Sequence, residues 1–99
     1  MIRFTRSVRI ASGKFTQAIQ WAKETTEFLN KKYKAQVSVY MDSFGEIGTI
    51  RWFVDFPDLA TFEKQRNQEM ADREYLQKMN QAGDLFIQSS GYDTVMQSI

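Results

Sequence analysis

Few side chains in this sequence could transfer a proton, because the chain contains neither histidine nor cysteine. Histidine is the commonest general base, and without it acid–base chemistry falls to carboxylates and phenols. The candidates lie in or near two neighbouring segments, and they are Tyr40, Asp42, Glu46 and Asp55. Arg9 and Arg51 are cations that could hold an acidic group or an enolate oxygen. We predict Tyr40 or Asp55 as the acid or base of any reaction, with no metal and no cofactor.

Composition and charge narrow the class of protein. Ninety-nine residues, 42% of them hydrophobic and 14% aromatic, predict one domain over residues 1–99. The absence of cysteine excludes disulfides and thiolate metal sites. A net charge of +1 lacks the strongly basic balance of a nucleic-acid-binding domain. Arginines interrupt the apolar residues near the start, and no run reaches the ~20 apolar residues that span a bilayer, so we expect a cytoplasmic protein.

The segment from Thr49 to Phe56 has the clearest pattern of a β-strand. Its even-numbered residues are apolar and its odd-numbered residues are mixed, which is the alternation of a strand with one buried face. Residues 36–44 alternate in the same way, and two glycines in the gap indicate a hairpin. The apolar faces predict the opposed pairs Met41–Ile50, Val39–Trp52, Val37–Val54, Tyr40–Arg51 and Ser38–Phe53. We expect the Arg51 guanidinium to lie against the Tyr40 ring.

The remaining segments predict two further strands and the helices. Residues 2–10 alternate as a first strand in which Arg6 alone breaks the apolar side. Residues 14–32 have the 3.6-residue spacing of an amphipathic helix, with Ser12 as the candidate N-cap. Residues 58–82 are helical in character, and a single helix of ~37 Å would overrun strands of ~30 Å. We therefore expect a break near Ala71, with Asp58 and Asp72 as N-caps.

The segment from Leu85 to Ser90 is predicted as the last strand. Its first three residues are apolar, and Gly91 marks a bulge or bend after it. The tail, residues 91–99, fits either a helical turn or an extended arm. We expect an extended arm.

The order β-α-β-β-α-β predicts an α+β, ferredoxin-like fold, in which a four-stranded antiparallel sheet carries both helices on one face. The other face, here called the open face, would stay uncovered in a monomer. It is predicted to present Thr5, Ser7, Arg9, Ser38, Tyr40, Asp42, Arg51, Phe53, Asp55, Phe86, Gln88 and Ser90. A surface that is half aromatic and half polar usually marks an interface or a ligand groove.

Three stretches of sequence resemble one known superfamily. They are G-E-I-G-T-I-R-W-F-V-D-F-P-D-L-A-T-F-E-K from Gly45 to Lys64, D-R-E-Y from Asp72 to Tyr75, and V-R-I-A-S-G-K-F-T-Q-A-I-Q-W-A-K-E from Val8 to Glu24. Together they resemble the dimeric α/β-barrel proteins, and within these the NIPSNAP-like group. The resemblance implies a homodimer whose two sheets face each other across a cavity, with the tail reaching the partner.

The resemblance also implies candidate activities. The superfamily includes cofactor-free monooxygenases, haem-degrading enzymes, lactone isomerases and dehydratases, several of which use histidine. This chain has no histidine, which excludes haem ligation through that residue. We predict a cavity that binds or transforms a small organic acid or aromatic molecule, lined by Arg9, Tyr40, Asp42, Arg51, Phe53 and Phe86.

Two other functions stay open at this stage. A purely structural or subunit-interaction module has the same sequence pattern as a binding protein. A single-stranded RNA-binding domain has the same order of strands and helices, and Phe53 to Phe56 matches the end of its third-strand motif. Arg51 stands where that motif needs an aromatic residue, and the first strand offers no aromatic residue on the open face. RNA binding is therefore the weaker alternative.

Overall fold

The protein is an α+β sheet-and-helix structure that contains four strands and three helices. The computed structural model describes all residues 1–99. The elements are β1 Ile2–Arg9, α1 Phe15–Tyr33, β2 Ser38–Met41, β3 Thr49–Phe56, α2 Leu59–Met70, α3 Arg73–Gln81 and β4 Tyr92–Gln97. All paired strands are antiparallel, in the order β2-β3-β1-β4 across the sheet. The predicted ferredoxin-like fold is confirmed, with the second helical region divided into two helices.

The hairpin of β2 and β3 has the predicted register. Met41 lies opposite Ile50 and Tyr40 lies opposite Arg51. The ladder begins only at Ser38, because the Asn30 side chain of α1 forms hydrogen bonds with both backbone polar groups of Val37. The Asn30 amide donates to the Val37 carbonyl at 3.1 Å, and its oxygen accepts from the Val37 N–H at 2.8 Å. Hydrogen bonds that would otherwise be open on an edge strand are thereby satisfied within the chain.

The helix boundaries follow the predicted caps in two cases of three. Asp58 accepts a hydrogen bond from the Thr61 N–H at 2.8 Å and caps α2. Asp72 occupies the N-cap position of α3, directly after the break between α2 and α3. The prediction of Ser12 as the cap of α1 was wrong. Lys14 occupies that position and makes no side-chain cap.

The prediction of the last strand at Leu85 to Ser90 was wrong. The fourth strand is β4, in the tail, where residues 92–97 pair with β1 of the same chain. Residues 85–90 contribute only an isolated bridge between Ile10 and Phe86. Consecutive apolar residues at 85–87 give no period of two. Residues 92–97 show no clear alternation either, and it is the ladder with β1 that identifies them as the fourth strand.

The apolar core under the helices forms two separate clusters. The larger cluster joins α1 to β3 and the segment after α3, and it contains Ala18, Ala22, Ile50, Trp52, Ala82 and Leu85. The smaller cluster lies at the other end of β3 and contains Ile2, Val54 and Phe56. Trp52 is anchored by its Nε1–H, which donates to Thr26 Oγ1 at 3.1 Å. A gap separates the two clusters under the helices.

Candidate functional site

A cavity of about 500 Å³ lies between the helices and the sheet. Its wall includes Trp52 and Ala82 from the larger apolar cluster and Val54 and Phe56 from the smaller one. Each of the three helices and the strands β1, β3 and β4 contribute lining residues. The volume falls within the range of small-molecule sites, about 300–1,000 Å³. The cavity is on the opposite side of the sheet from the site predicted from the sequence.

Aromatic side chains form both ends of the cavity. At one end Trp21 stands edge-on to Trp52 at 6.1 Å and to Phe86 at 5.5 Å between ring centroids. At the other end Phe62 packs against Phe4 at 5.3 Å and against Phe56 at 5.4 Å. Aromatic rings at such distances pack edge-on or offset against one another, so a ligand with an aromatic ring fits between the two ends better than one with a flexible chain. Both tryptophans of the protein line the cavity.

An ion pair between two strands forms the polar part of the cavity wall. Arg6 of β1 and Asp93 of β4 are directly opposed in the ladder. Nε and Nη2 of Arg6 donate to the two oxygens of Asp93 at 2.7 and 2.9 Å. This bidentate hydrogen bond raises the pKa of Arg6 and lowers the pKa of Asp93. The charge of Arg6 is therefore already balanced within the protein.

Glu69, near the end of α2, is a carboxyl group buried in the same cavity. Its side chain lines the cavity, and the residue is 9% exposed. Gln65 Nε2 donates to Oε2 at 3.0 Å, while the nearest cation, Arg66 Nη1, is 3.9 Å from Oε1. Burial disfavours the charged form and raises the pKa of Glu69, and the hydrogen bond from Gln65 opposes this shift.

Tyr75 faces the cavity from the first turn of α3, and a network behind it fixes that turn. Asp72 Oδ1 accepts from the N–H groups of Glu74 and Tyr75 at 3.0 and 3.3 Å. Its Oδ2 accepts from the hydroxyl of Tyr33 and from Lys32 Nζ. These hydrogen bonds, that from Tyr33 first, lower the pKa of Asp72 to about 2. The start of α3 is thus tied to the end of α1.

The cavity is partly open to the surface of the protein. Water or a ligand can therefore enter and fill it. The polar groups between the aromatic ends can bind either.

On the open face, Arg51 is the centre of a closed hydrogen-bond network. Its Nε and Nη2 donate to the two oxygens of Asp42 at 2.8 and 2.9 Å. Its Nη1 donates to Ser7 Oγ at 3.0 Å and to the Tyr92 hydroxyl at 3.1 Å. The Asp42 hydrogen bonds raise the pKa of Arg51, and Arg51 lowers the pKa of Asp42 and of Tyr92. Arg51 and Asp42 thus meet as predicted on one face, but they bind each other.

The other predicted residues of the open face are dispersed along it. Tyr40 packs edge-on against Phe53 at 5.6 Å, so the expected contact of Tyr40 with the Arg51 guanidinium is not formed. Asp55 binds Arg3 at 2.8 Å and not Arg9, and Arg3 lowers the pKa of Asp55. Asp55 lies four positions beyond Arg51 on β3, a separation of about 13 Å along a strand. Tyr40 and Asp55 therefore do not form one acid–base pair.

Two of the predicted ligand-binding residues lie apart from this network. Arg9 lies at the end of β1, opposite Thr49, and its side chain forms no ion pair. Phe86 was predicted on the open face, and that placement was wrong. Its ring contacts Trp21 and lines the cavity on the helix side. The error follows from the misplaced last strand.

The residues that line the cavity were missed because their pattern is that of an ordinary core. Arg6 was visible as a polar residue on the apolar side of the first strand, and Glu69 was visible on the buried side of α2. A polar residue at an apolar position is the signal that could have indicated the cavity. No group of three potential metal ligands comes together anywhere in the chain.

Comparison with known proteins identifies relatives by sequence pattern and by fold. The NIPSNAP family model matches residues 5–96. A nipsnap family protein with unknown function from Agrobacterium tumefaciens superposes with a TM-score of 0.81 at 20% identity, over 97% of this chain and 86% of that one. An uncharacterized NIPSNAP domain protein from Burkholderia xenovorans gives a TM-score of 0.84 at 14% identity, over 100% and 95% of the two chains.

The fold is shared more widely than the family. An antibiotic biosynthesis monooxygenase superposes with a TM-score of 0.75 at 12% identity, over 100% of this chain and 99% of that one. At such identity the likeness shows the fold alone. No functionally curated protein matches the chain. None of the three helices has the length and apolar character needed to cross a bilayer.

Proposed function

Because the chain belongs to the NIPSNAP family, we propose that it is a homodimeric protein that binds a flat aromatic molecule in the cavity between its helices and its sheet. The observation that carries the proposal is the cavity itself, about 500 Å³ with aromatic rings at both ends. The volume lies within the range of small-molecule sites, and most of the lining residues are hydrophobic. The proposed ligand site differs from the inter-sheet cavity that the resemblance implies.

The charges around the cavity favour a neutral ligand over a strong acid. Two cations and two carboxylates line it, namely Arg6, Arg66, Glu69 and Asp93. Asp93 binds the Nε–Nη2 edge of Arg6 and balances its charge, and Arg66 lies 3.9 Å from Glu69, so each cation already has a carboxylate neighbour. The aromatic ends supply most of the contact area. A ring system with one hydroxyl or carbonyl group matches this balance.

The homodimer is proposed through the open face of the sheet. No helix covers this face, and it carries large exposed side chains, among them Tyr40 at 62% and Met96 at 43% exposure. Arg51 is already satisfied by Asp42, Ser7 and Tyr92, so a partner could cover it without leaving an unpaired charge. The resemblance to dimeric α/β-barrel proteins supports the same arrangement. Each subunit would keep its own cavity.

Tryptophan fluorescence tests the ligand proposal directly, since both tryptophans line the cavity. Titration with 2-naphthol should change the emission and saturate, and 2-naphthoate should bind more weakly. Thr25→Phe places a ring into the cavity from α1 and should abolish the change. Thr16→Phe makes the same substitution at an exposed position of α1 and should bind as the wild type does. A linear, unsaturable response, equal in both variants, would contradict the proposal.

Sedimentation equilibrium tests the dimer independently. Phe53→Asp introduces a charge on the open face and should yield monomers at concentrations where the wild type is dimeric. Leu76→Asp makes a similar change on the exposed side of α3, at a residue 39% exposed, and should leave the dimer intact. A wild type that is monomeric at micromolar concentration, or a dimer lost equally in both variants, would reject the open face as the interface.

A further inference from the structure

Glu69 has one carboxylate oxygen that the protein leaves unoccupied. Gln65 donates to Oε2 at 3.0 Å, whereas Oε1 accepts no hydrogen bond and is 3.9 Å from the nearest nitrogen of Arg66. The residue is 9% exposed and lines the cavity. A carboxylate oxygen that accepts no hydrogen bond from the protein is free to accept one from a bound molecule. An acceptor at the wall of a ligand cavity has an obvious partner in the ligand.

The Tyr75 hydroxyl is a second unpartnered group in the same wall. Tyr75 is 3% exposed, and its hydroxyl is near enough to Arg6 to raise the pKa of that guanidinium, although the two do not meet the geometry of a good hydrogen bond. The cap formed by Asp72 holds the first turn of α3, and with it the backbone of Tyr75. The cavity therefore contains a free acceptor on Glu69 and a free donor on Tyr75.

Other charged groups around Glu69 come from every neighbouring element. Arg66 belongs to the same helix, Arg6 and Asp93 lie on the sheet, Asp72 precedes α3, and Tyr33 approaches from α1. Arg6 is neutralised by Asp93, and Asp72 is held by Tyr33 and Lys32. Glu69 is the one carboxylate of this group whose position is set by a neutral amide. A weakly solvated carboxylate is a stronger base toward a carbon acid than one in water.

We propose that the cavity catalyses proton transfer, with Glu69 as the catalytic base and the Tyr75 hydroxyl as the hydrogen-bond donor to the oxygen that gains charge. The inference rests on the proposed function, because it assigns a reaction to the same ligand site. The substrate class is an aromatic compound with a conjugated carbonyl group and an acidic hydrogen on the adjacent carbon. The predicted acid–base residues of the open face take no part in it.

The reaction is an isomerisation that requires no oxidant and no second substrate. Glu69 Oε1 takes the proton from the carbon next to the carbonyl group. The C–H electron pair forms a carbon–carbon double bond, and the carbonyl π pair moves to oxygen, where Tyr75 donates a hydrogen bond. Glu69 then returns the proton to another carbon of the conjugated system, and the carbonyl group re-forms. Atoms and electrons balance, and the enzyme is regenerated.

The Kemp elimination of 5-nitro-1,2-benzisoxazole tests whether Glu69 acts as a catalytic base, and it needs no knowledge of the natural substrate. The probe is flat, aromatic and neutral, as the cavity requires. A base removes its single ring hydrogen next to nitrogen, the C–H pair forms the nitrile, and the N–O bond breaks to give a coloured phenolate. We expect the protein to accelerate this reaction. Glu69→Gln should lower the rate by about 100-fold, the lower end of the contribution of a placed base.

Matched variants separate a chemical role of Glu69 from a structural one. Glu63→Gln makes the same substitution at an exposed position of α2 and should react at the wild-type rate. Tyr75→Phe should lower the rate by about tenfold, the effect of one lost hydrogen bond of ~1.4 kcal/mol to a developing charge. Glutamine keeps an acceptor oxygen at this position, so Glu69→Gln should bind 2-naphthol with an affinity close to that of the wild type. If that affinity falls as far as the rate, Glu69 is structural and the inference is wrong.

The pH profile supplies a readout that a structural role would not alter. The base acts in its charged form, so the rate should rise with pH through the pKa of Glu69. Burial raises that pKa above the ordinary value of 4.5, and the midpoint of the profile should lie above 4.5. If 2-naphthol binds but Glu69→Gln reacts as fast as the wild type, proton transfer is rejected and the binding function stands. If 2-naphthol does not bind at all, the proposed function fails first.

Discussion

Both faces of the sheet carry an arginine–aspartate ion pair, but the surroundings of the two pairs differ. Each face carries an arginine whose Nε and Nη2 donate to the two oxygens of an aspartate on or next to a neighbouring strand: Arg6 with Asp93 toward the helices and Arg51 with Asp42 on the open face. On the open face, the remaining donor of Arg51 is also satisfied, by Ser7 and Tyr92. Toward the helices, the ion pair adjoins a cavity of about 500 Å³.

The two faces therefore suit different roles: the open face suits contact with another protein, and the cavity under the helices suits a ligand. A satisfied network can be buried against a protein at small cost, because no polar atom is left without a partner. Buried groups without a partner, such as Thr25 Oγ1 beside the cavity, lose free energy until a ligand or water reaches them. The satisfied face therefore fits self-association, and the unsatisfied interior fits ligand binding.

The largest expected effect contrasts two adjacent residues of β3. Trp52 points toward the helices and is 9% exposed, while Phe53 points toward the open face. Trp52→Ala should lower the free energy of unfolding by about 3–5 kcal/mol. Phe53→Ala should lower it by only about 1 kcal/mol in the monomer, because the ring is half exposed there. Urea unfolding of both variants at equal concentration checks this, and the reverse order would mean that the faces are exchanged.

A double-mutant cycle at the ion pair of the cavity should give the next largest effect. Arg6→Met leaves Asp93 unpaired, and loss of one partner of a fully buried pair costs about 3–5 kcal/mol. We expect about 2 kcal/mol, because the two side chains keep 29% and 39% of their exposure.

The second variant of the cycle is Arg6→Met with Asp93→Leu, which should recover most of the loss in a urea titration. On the open face, Arg51→Met is the matched change. It should weaken self-association and leave the affinity for 2-naphthol unchanged. An additive double variant would contradict a direct coupling between Arg6 and Asp93.

A smaller effect concerns two buried hydroxyl groups that make no hydrogen bond, Thr25 Oγ1 beside the cavity and Thr49 Oγ1 at the end of β3. Replacement of each by valine keeps the shape and removes the unpaired group, so thermal unfolding should show a gain of about 1 kcal/mol or less. Only Thr25→Val should change the affinity for 2-naphthol. If Thr49→Val changes the affinity for 2-naphthol equally, the cavity does not bind the ligand independently of the rest of the sheet.

The smallest expected effect is a dependence of stability on pH at Glu69. Burial raises the folded-state pKa above the unfolded value of 4.5, so the charged form opposes folding at neutral pH. That penalty fades as pH falls through the folded-state pKa toward 4.5. Glu69→Gln should therefore raise the free energy of unfolding at neutral pH and lose this advantage below 4.5, whereas Glu63→Gln should do neither. An advantage that grows in acid would reverse the sign of the argument.

The sequence predicted most of the fold because alternation and capping are local signals. Alternation in β3 defined which face each residue occupies, and it specified the pairing of Met41 with Ile50. Asp72 indicated the break between α2 and α3 because a carboxylate can accept from the first free N–H groups of a helix. These features depend on residues close together in the chain.

The cavity and the fourth strand were not predictable in the same way. Arg6 breaks the apolar pattern of β1 and looks like a defect until β4 is placed beside β1, because its partner Asp93 lies 87 residues away. An apolar residue that lines a cavity has the same sequence pattern as one that packs in a core. Periodicity therefore indicates which face of the sheet the side chain is on, but not whether the side chain is packed or lines a cavity. The sequence therefore indicated the open face and gave no sign of the cavity under the helices.

The position of β1 in the middle of the sheet sets the order of events in folding. Its two partners are β3 and β4, so every ladder contact of β1 joins residues far apart in the chain. Such long-range pairing slows folding, because loop-closure entropy must be overcome before the contacts form. While the ribosome extends the chain, Arg6 has no counter-ion until Asp93 has emerged. A ligand of the proposed cavity could therefore bind only after β4 has paired with β1.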